Sequence, residues 1–358
     1  MDEAKVMHYF LGANSEKGFY SLYSGLTVPE DGEFLWVIKG GPGCGKSSFM
    51  RTLGKAAEES GLDVEYVHCS GDPHSLDAVR IPSLKTAYVD GTSPHIIEAV
   101  YPGCSSLYLD LGTFYDACAL ENDLEKIIEL NHDYKDLYKR AYSYLSAAGS
   151  ISPEAIYSLC TPPAKNKIQK RVTGLAAREM KALDKQGKTR NIFLDAISCE
   201  GIVSYMDDMS SQYDRVCILD NEYGLAAVYL NEIYTIGISR GYDAVVCRDP
   251  LHPGEIKAVF FPELSLGFTS LAKNEKLPQN IYRHIRLDAL VEKDISATMR
   301  REFRECRKLQ NALISRAIAV LSQAKTLHDQ LESIYNPHVD FEGLYRVAED
   351  HKAWLLGK

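Results

Sequence analysis

Eight consecutive residues, Gly40-Gly41-Pro42-Gly43-Cys44-Gly45-Lys46-Ser47, restrict what this 358-residue chain can fold into more than anything else in it. They fit the pattern G-x-x-x-x-G-K-[ST] in full, and their flanks give the match its weight. Ahead of them, Phe34-Leu35-Trp36-Val37-Ile38 is an apolar run of the length of a buried parallel strand. Behind them, Phe49, Met50, Leu53, Ala56 and Ala57 share one face of a helix expected over 47–60, and Gly61 stands where a C-cap belongs. Val64-Glu65-Tyr66-Val67-His68 then supplies the next strand. The segment reads as a βαβ unit with its crossover helix.

A strand, a glycine-rich turn and a helix in that order make a phosphate cradle. Glycines at 40, 43 and 45 let the backbone curl, and the turn they make with Gly41, Pro42 and Cys44, of which only Pro42 has no N–H to offer, points several N–H groups inward. The helix behind adds the positive end of its dipole. Lys46 is expected on the β- and γ-phosphates of a nucleoside triphosphate, the Ser47 hydroxyl on Mg²⁺, and Ser48 on the α-phosphate. The metal also calls for a carboxylate at the end of another strand. Asp90, closing a strand expected over 82–90, competes with Asp110, which closes Leu107-Tyr108-Leu109-Asp110. The turn Gly91-Thr92-Ser93-Pro94-His95 favours Asp90, because ligands of open α/β sheets collect at the carboxyl ends of strands. Lys46 and Asp90 are thus the expected catalytic residues, with Ser47 and Asp90 on the metal. His68, Asp72, His95 and Glu98 follow expected strands and are candidates for positioning a water or a substrate hydroxyl. Arg51, Arg80 and Arg240 are candidates for neutralising transition-state charge.

The chain also repeats itself. Phe10-Leu11-Gly12-Ala13-Asn14-Ser15-Glu16-Lys17-Gly18 is echoed by Phe193-Leu194-Asp195-Ala196-Ile197-Ser198-Cys199-Glu200-Gly201. Ala78-Val79-Arg80-Ile81-Pro82 is echoed by Ala258-Val259-Phe260-Phe261-Pro262, and the helical stretch from Lys139 by that from Ser315. The echoes keep one order, at offsets of about 176 to 183 residues. Each half opens β-rich (6–115 and 190–280) and closes helical (about 119–185 and 287–357), with one long helix expected from Ala289 to Tyr335. The expected fold is α/β of the P-loop NTPase type: a mainly parallel sheet flanked by helices, duplicated, with domains at 1–186 and 187–358. In the second half Gly224 replaces Gly43, while Ala226, Ala227 and Val228 fall where Gly45, Lys46 and Ser47 would be, and Ser270 falls near the Asp90 position. The ammonium, the hydroxyl and the carboxylate are all missing there, so one nucleotide site per chain is expected.

A net charge of −9 argues against a nucleic-acid coat. The nine cysteines show no metal-ligand spacing and read as buried thiols of a reducing cytosol. Met1-Asp2-Glu3-Ala4-Lys5 starts acidic with no apolar run behind it, unlike a signal peptide, and nowhere do eighteen apolar residues follow one another. A cytoplasmic location without membrane contact is expected. A protein partner is compatible with the sequence but not identified by it.

His8-Tyr9-Phe10, Lys17-Gly18-Phe19-Tyr20-Ser21, the loop from Lys39 to Ser47, His68-Cys69-Ser70, Ser75-Leu76-Asp77, Ile81-Pro82 and Asp90-Gly91-Thr92-Ser93-Pro94-His95 occur in that order. Together they resemble a family of tandem P-loop ATPases from Gram-positive bacteria, over nearly the whole chain. The resemblance implies ATP binding. It also implies a second P-loop in the carboxyl-terminal half, from which this chain departs. No Asn-Lys-x-Asp guanine motif, transporter signature or helicase box occurs, which favours ATP over GTP. The reading is Mg-dependent ATP hydrolysis at the amino-terminal site, coupled to motion against the degenerate half. Two alternatives stand beside it. One is a small-molecule or nucleotide kinase, with Lys165, Lys167, Lys170, Arg171, Arg178 and Lys181 closing as a lid. The other is an ATP-binding sensor or scaffold of slow turnover.

Overall fold

The structure, a computed structural model, describes residues 4–153, 155–271 and 280–357. Met1-Asp2-Glu3 and residues 272–279, on which part of the reading above falls, lie outside the described residues. The elements of the first repeat are β1 (Val6–Phe10), β2 (Gly12–Ser15), β3 (Gly18–Ser21), β4 (Phe34–Lys39), α1 (Lys46–Glu59), β5 (Val64–His68), β6 (Leu76–Ile81), β7 (Thr86–Asp90), β8 (Ser106–Asp110), α2 (Ala117–Leu120), α3 (Leu124–Gly149), α4 (Ala155–Leu159) and α5 (Pro162–Glu179). Those of the second are β9 (Thr189–Ile192), β10 (Asp195–Ser198), β11 (Gly201–Ser204), α6 (Met206–Ser211), β12 (Arg215–Asp220), α7 (Ala226–Ser239), β13 (Ala244–Arg248), β14 (Ile256–Phe261), β15 (Leu266–Leu271), β16 (Ile281–Ile285), α8 (Ala297–Tyr335) and α9 (Phe341–Leu356).

Two six-stranded sheets carry the molecule, in the orders β1-β5-β6-β7-β4-β8 and β9-β13-β14-β15-β12-β16. Element for element these are the same order, so the duplication seen in the sequence extends to the topology. Each sheet is mixed. In the first, β1 with β5, β4 with β7 and β4 with β8 run parallel, while β6 runs against both of its neighbours. The strand expected over 82–90 therefore starts later, at Thr86. Pro82, which has no N–H to give a ladder, opens a 3-10 turn to Leu84, and Lys85 at φ 50° completes the reversal. Pro262–Leu264 with Ser265 at φ 45° repeats this turn in the second sheet.

The compact units do not follow the linear halves. One comprises residues up to Tyr144 with Ala196–Val203 and Ser315–Lys358; the other comprises Leu145–Asp195 and Ser204–Ile314. Each repeat thus lends its last helices to the other repeat's unit. In the first unit, Leu344, Ala348 and Leu355 of α9 join Phe49, Met50 and Leu53 of α1, with Tyr88 of the sheet, in one buried cluster. In the second, Ile168, Val172 and Leu175 of α5 pack with Tyr229, Leu230 and Ile233 of α7. Both lending helices carry their apolar residues at three- and four-residue spacing, which makes one stripe per helix. The long helix α8 begins at Ala297 and not at Ala289, because 288–290 and 292–294 form short 3-10 turns ahead of it. No helix among the described residues is long and apolar enough to cross a membrane.

Candidate functional site

The loop from Gly40 to Gly45 joins β4 to α1, at the carboxyl edge of the first sheet. Its shape depends on glycine at two points above all. Gly40 has φ 148°, and a Cβ there would lie 2.5 Å from the Cys44 sulfur and 3.3 Å from the Gly112 nitrogen. Gly45, the N-cap of α1, has φ 78°, in the left-handed region that side chains avoid. Cys44 turns its thiol inward, where burial pushes its pKa up, so the side chain serves packing. Ser48 is exposed on the first turn of the helix. The first unit's own later segments wrap the loop. Tyr115 donates its hydroxyl to the Pro42 carbonyl at 2.7 Å, and a side chain on Gly43 would run into Asn336. Glu332, one turn before Asn336, is held below the usual carboxylate range by His328 at 3.4 Å and by the Gly43 backbone.

Lys46 opens α1 and folds its ammonium back over the loop. It donates to the Gly40 and Gly41 carbonyls, both at 2.8 Å, and lies 3.6 Å from Asp90 Oδ2. Asp90 ends β7, which pairs directly with β4 in parallel, so Ile38 and Asp90 are register partners. The other oxygen of Asp90 accepts from the Thr92 amide at 2.9 Å and the Thr92 hydroxyl at 2.6 Å, which fixes the carboxylate's orientation. Ser47 Oγ accepts from the Leu76 amide at 2.9 Å. Asp110 ends β8 on the other side of β4, but its carboxylate caps the turn behind it, accepting from Gly112 N at 2.8 Å. Of the two competing carboxylates, Asp90 is the one turned to the lysine.

Beside this pair lies a buried cluster for which no single sequence signal was available. His95 sits between the rings of Tyr23, 4.8 Å away and stacked, and Phe19, 5.6 Å away. Its Nε2 is 3.5 Å from Asp77 Oδ1, and the other oxygen of Asp77 accepts from the Tyr23 hydroxyl at 2.6 Å. Burial works to lower the His95 pKa, but the Asp77 carboxylate outweighs it and the net shift is upward; the charges of Asp90 and Lys46 also reach this ring. Burial works to raise Asp77, and His95, Tyr23 and Cys69 together bring it below the usual range. The Asp77 carboxylate thus favours the protonated form of His95, whose other ring nitrogen, Nδ1, is buried without a hydrogen-bond partner among the described residues. The segment that presents it is clamped by Lys39, whose ammonium donates to the Gly91 carbonyl at 3.0 Å and the Ile97 carbonyl at 2.9 Å.

The remaining candidates are committed elsewhere. Glu98 is exposed and engages Lys39 and the Tyr108 hydroxyl. Asp72 caps its own turn through His74 N and Ser75 Oγ and lies 3.4 Å from Lys325. Arg51 donates to the His74 carbonyl, and Arg80 pairs with Glu33 and Glu65. Arg240 belongs to the second unit, where it donates to the Ala176 and Met180 carbonyls. His68 is buried. Its Nδ1 lies 2.7 Å from the Pro73 carbonyl, which can only accept, so that nitrogen carries the proton and Nε2 accepts from His8 Nδ1 at 2.9 Å. Burial is the main cause of a His68 pKa lowered to about 4, with His8 and Arg51 adding to it and Pro73 and Asp77 opposing.

That value has a consequence for acid stability. The group is depressed in the folded protein, so its contribution is complete above the unfolded value near 6.5 and is lost as pH falls toward about 4. Over that window the chain should lose about 3 kcal/mol of stability that a His68→Gln variant does not lose. Urea unfolding of both proteins at neutral pH and near the lower limit checks this. Parallel losses in the two would remove His68 as the cause.

In the second repeat, helix α7 starts at Ala226, as α1 starts at Lys46. The structural equivalents of Lys46, Ser47 and Ser48 are therefore Ala226, Ala227 and Val228, one position earlier than the sequence comparison placed them. The equivalent of Gly45 is Leu225, in right-handed helical conformation. Ser270, at the Asp90 position, is buried and donates to the Lys257 carbonyl at 3.0 Å. Glu222 pairs with Arg307, and Asp220 with His284.

No family model matches this chain, and neither a curated protein nor a solved structure does.

Proposed function

We propose that the first unit is a P-loop nucleotide-binding unit that binds ATP and hydrolyses it with Mg²⁺, as the tandem P-loop resemblance also suggests. One observation carries the reading. Lys46, at the start of the helix behind the glycine loop, faces Asp90 at 3.6 Å across the ends of two adjacent parallel strands. A lysine and a carboxylate at that place, with a serine hydroxyl next in sequence, have a shared use in phosphoryl chemistry.

The donors suit magnesium. Ser47 Oγ and Asp90 Oδ2 are hard oxygens, and this ion takes few protein ligands, completing its shell with phosphate and water. When bound, Mg²⁺ would neutralise charge on the phosphates. The chain's own part is positional. Lys46 exchanges its two carbonyl acceptors for phosphate oxygens, and the Gly40–Gly45 backbone fixes the polyphosphate. Thr92 fixes the orientation of Asp90, and His95 in the protonated form that Asp77 favours would add positive potential behind the site.

Phosphate release from Mg-ATP by the purified chain tests this, with Asp90→Asn and Asp110→Asn compared. The first should lower turnover by about a hundredfold, as loss of an electrostatic contact to the reacting group does, and the second should leave it within about threefold. Equal effects would remove Asp90 from the site. Label passing from ATP to an added metabolite instead of water would establish the kinase alternative, and tight binding with no turnover would leave the sensor.

A further inference from the structure

The basic stretch of α5, set aside by the reading above, packs on the second unit's own sheet and there meets a second set of cations. Lys170, Arg171 and Arg178 of α5 line a cavity of about 490 Å³ together with Arg283 and Arg286, and with the imidazole of His284, at the carboxyl end of the edge strand β16. Its floor is apolar, made by Leu175, Tyr229 and Ile285, and among the described residues no carboxylate lines it. A Cβ on Gly174 would meet nothing within 4 Å, so the space over this face of the helix is open.

The cations are placed and not merely dispersed. Arg171 donates to the Arg286 carbonyl at 2.7 Å, which ties its guanidinium to the strand side of the cavity. Arg283 lies over the Tyr282 ring at 5.6 Å. The charges of Arg283, Arg171 and Arg178 all act on the buried Tyr229 hydroxyl, which lines the same cavity. Two carboxylates that interact with residues around the cavity, Glu179 and Asp220, are engaged. Glu179 accepts from Arg215 at 2.6 Å and from the Tyr282 hydroxyl at 3.1 Å, although its charge also reaches Arg283, and Asp220 is bound by His284. Four guanidinium groups and an ammonium around one concavity repel each other. On a chain of net charge −9, such a concentration calls for an anion of matching charge.

We propose that this cavity binds a small molecule carrying adjacent phosphates, at a site separate from the glycine loop. The cavity lies within the range of about 300–1,000 Å³ typical of small-ligand pockets. Guanidinium forks suit phosphate oxygens in pairs, and the apolar floor suits the rest of a metabolite better than a nucleic-acid backbone.

Pyrophosphate is the probe, and the Lys46→Ala protein is the background, so that the fate of the nucleotide reading does not decide the outcome. Equilibrium dialysis with labelled pyrophosphate should give one site per chain in that background. Adding Arg171→Gln with Arg286→Gln should weaken binding by about tenfold or more, and the double Arg→Lys variant should fall between. Circular dichroism and the urea midpoint verify that each variant is folded. Absence of binding at about 1 mM pyrophosphate, or binding indifferent to the arginine changes, overturns the proposal. So does a single-stranded oligonucleotide that binds more tightly than pyrophosphate and depends on the same arginines, which would make the face a nucleic-acid surface.

Discussion

Replacing Lys46 by alanine should abolish phosphate release, lowering it by at least about 10²–10³-fold, while the protein stays folded. The two halves of that statement rest on different contacts. The ammonium bonds two loop carbonyls and faces one carboxylate, and its side chain is only 13 % exposed. Removing it costs the loop two charge-assisted hydrogen bonds, but Gly40 and Gly41 lie where water can replace them, and Asp90 retains both of its bonds from Thr92. The stability change should therefore stay within about 3 kcal/mol. Phosphates bound as proposed would, in contrast, lose the one side-chain cation that the first turn of α1 supplies. Lys46→Arg should also fail, because a planar fork cannot occupy the place of a point charge held by two carbonyls. Turnover within threefold of the parent in the alanine variant would break the link between this loop and the chemistry. Unfolding of that variant would show that the lysine serves structure first.

The parts of this site written locally in the chain could be read from it. The strand, the glycine spacing and the helix announce themselves within a few residues of each other, and Asp90 by its own strand end and the turn after it, since turn geometry and burial face are set by near neighbours. The antiparallel direction of β6 also has a local signal. Pro82 to Lys85 is too short to join parallel strands, whose crossovers need about a dozen residues, so a hairpin was the available solution. What packs on the loop was not legible. Tyr115, Glu332, Asn336 and Leu344 arrive from distant segments, and nothing in the stripe of α9 or of α5 says which of two homologous sheets it will cover. The register of α7 shows the same limit on a smaller scale. The sequence comparison aligned Gly224 with Gly43 and ran on without a gap, whereas the second loop is one residue shorter before its helix begins. Asp77 stood in a recognised segment but without a role, because its partner His95 comes from beyond the β6–β7 hairpin.

That pair should give the largest stability effect in the first unit. Asp77 and His95 are only 5 % and 7 % exposed, so neither can exchange its partner for water. Removing one member of a buried ion pair typically costs about 3–5 kcal/mol, and Asp77→Ala also strands the Tyr23 hydroxyl. The pH dependence separates this from ordinary packing loss. His95 is raised, so its contribution is complete below the unfolded value near 6.5 and is lost as pH climbs through the higher folded value. Asp77 is lowered, so its contribution is complete above about 3.8 and is lost only as pH falls below that. The coupling between the two, measured by urea unfolding of Asp77→Asn, His95→Gln and the double variant, should be greatest from about pH 4 to 6.5 and should decline in alkali. Asp90 and Lys46 act on His95 with opposite signs, so Lys46→Ala should carry that alkaline decline to higher pH. A coupling that stays constant from acid to alkali would mean that the imidazole is neutral throughout, and the positive potential assigned to it behind the phosphates would go with it.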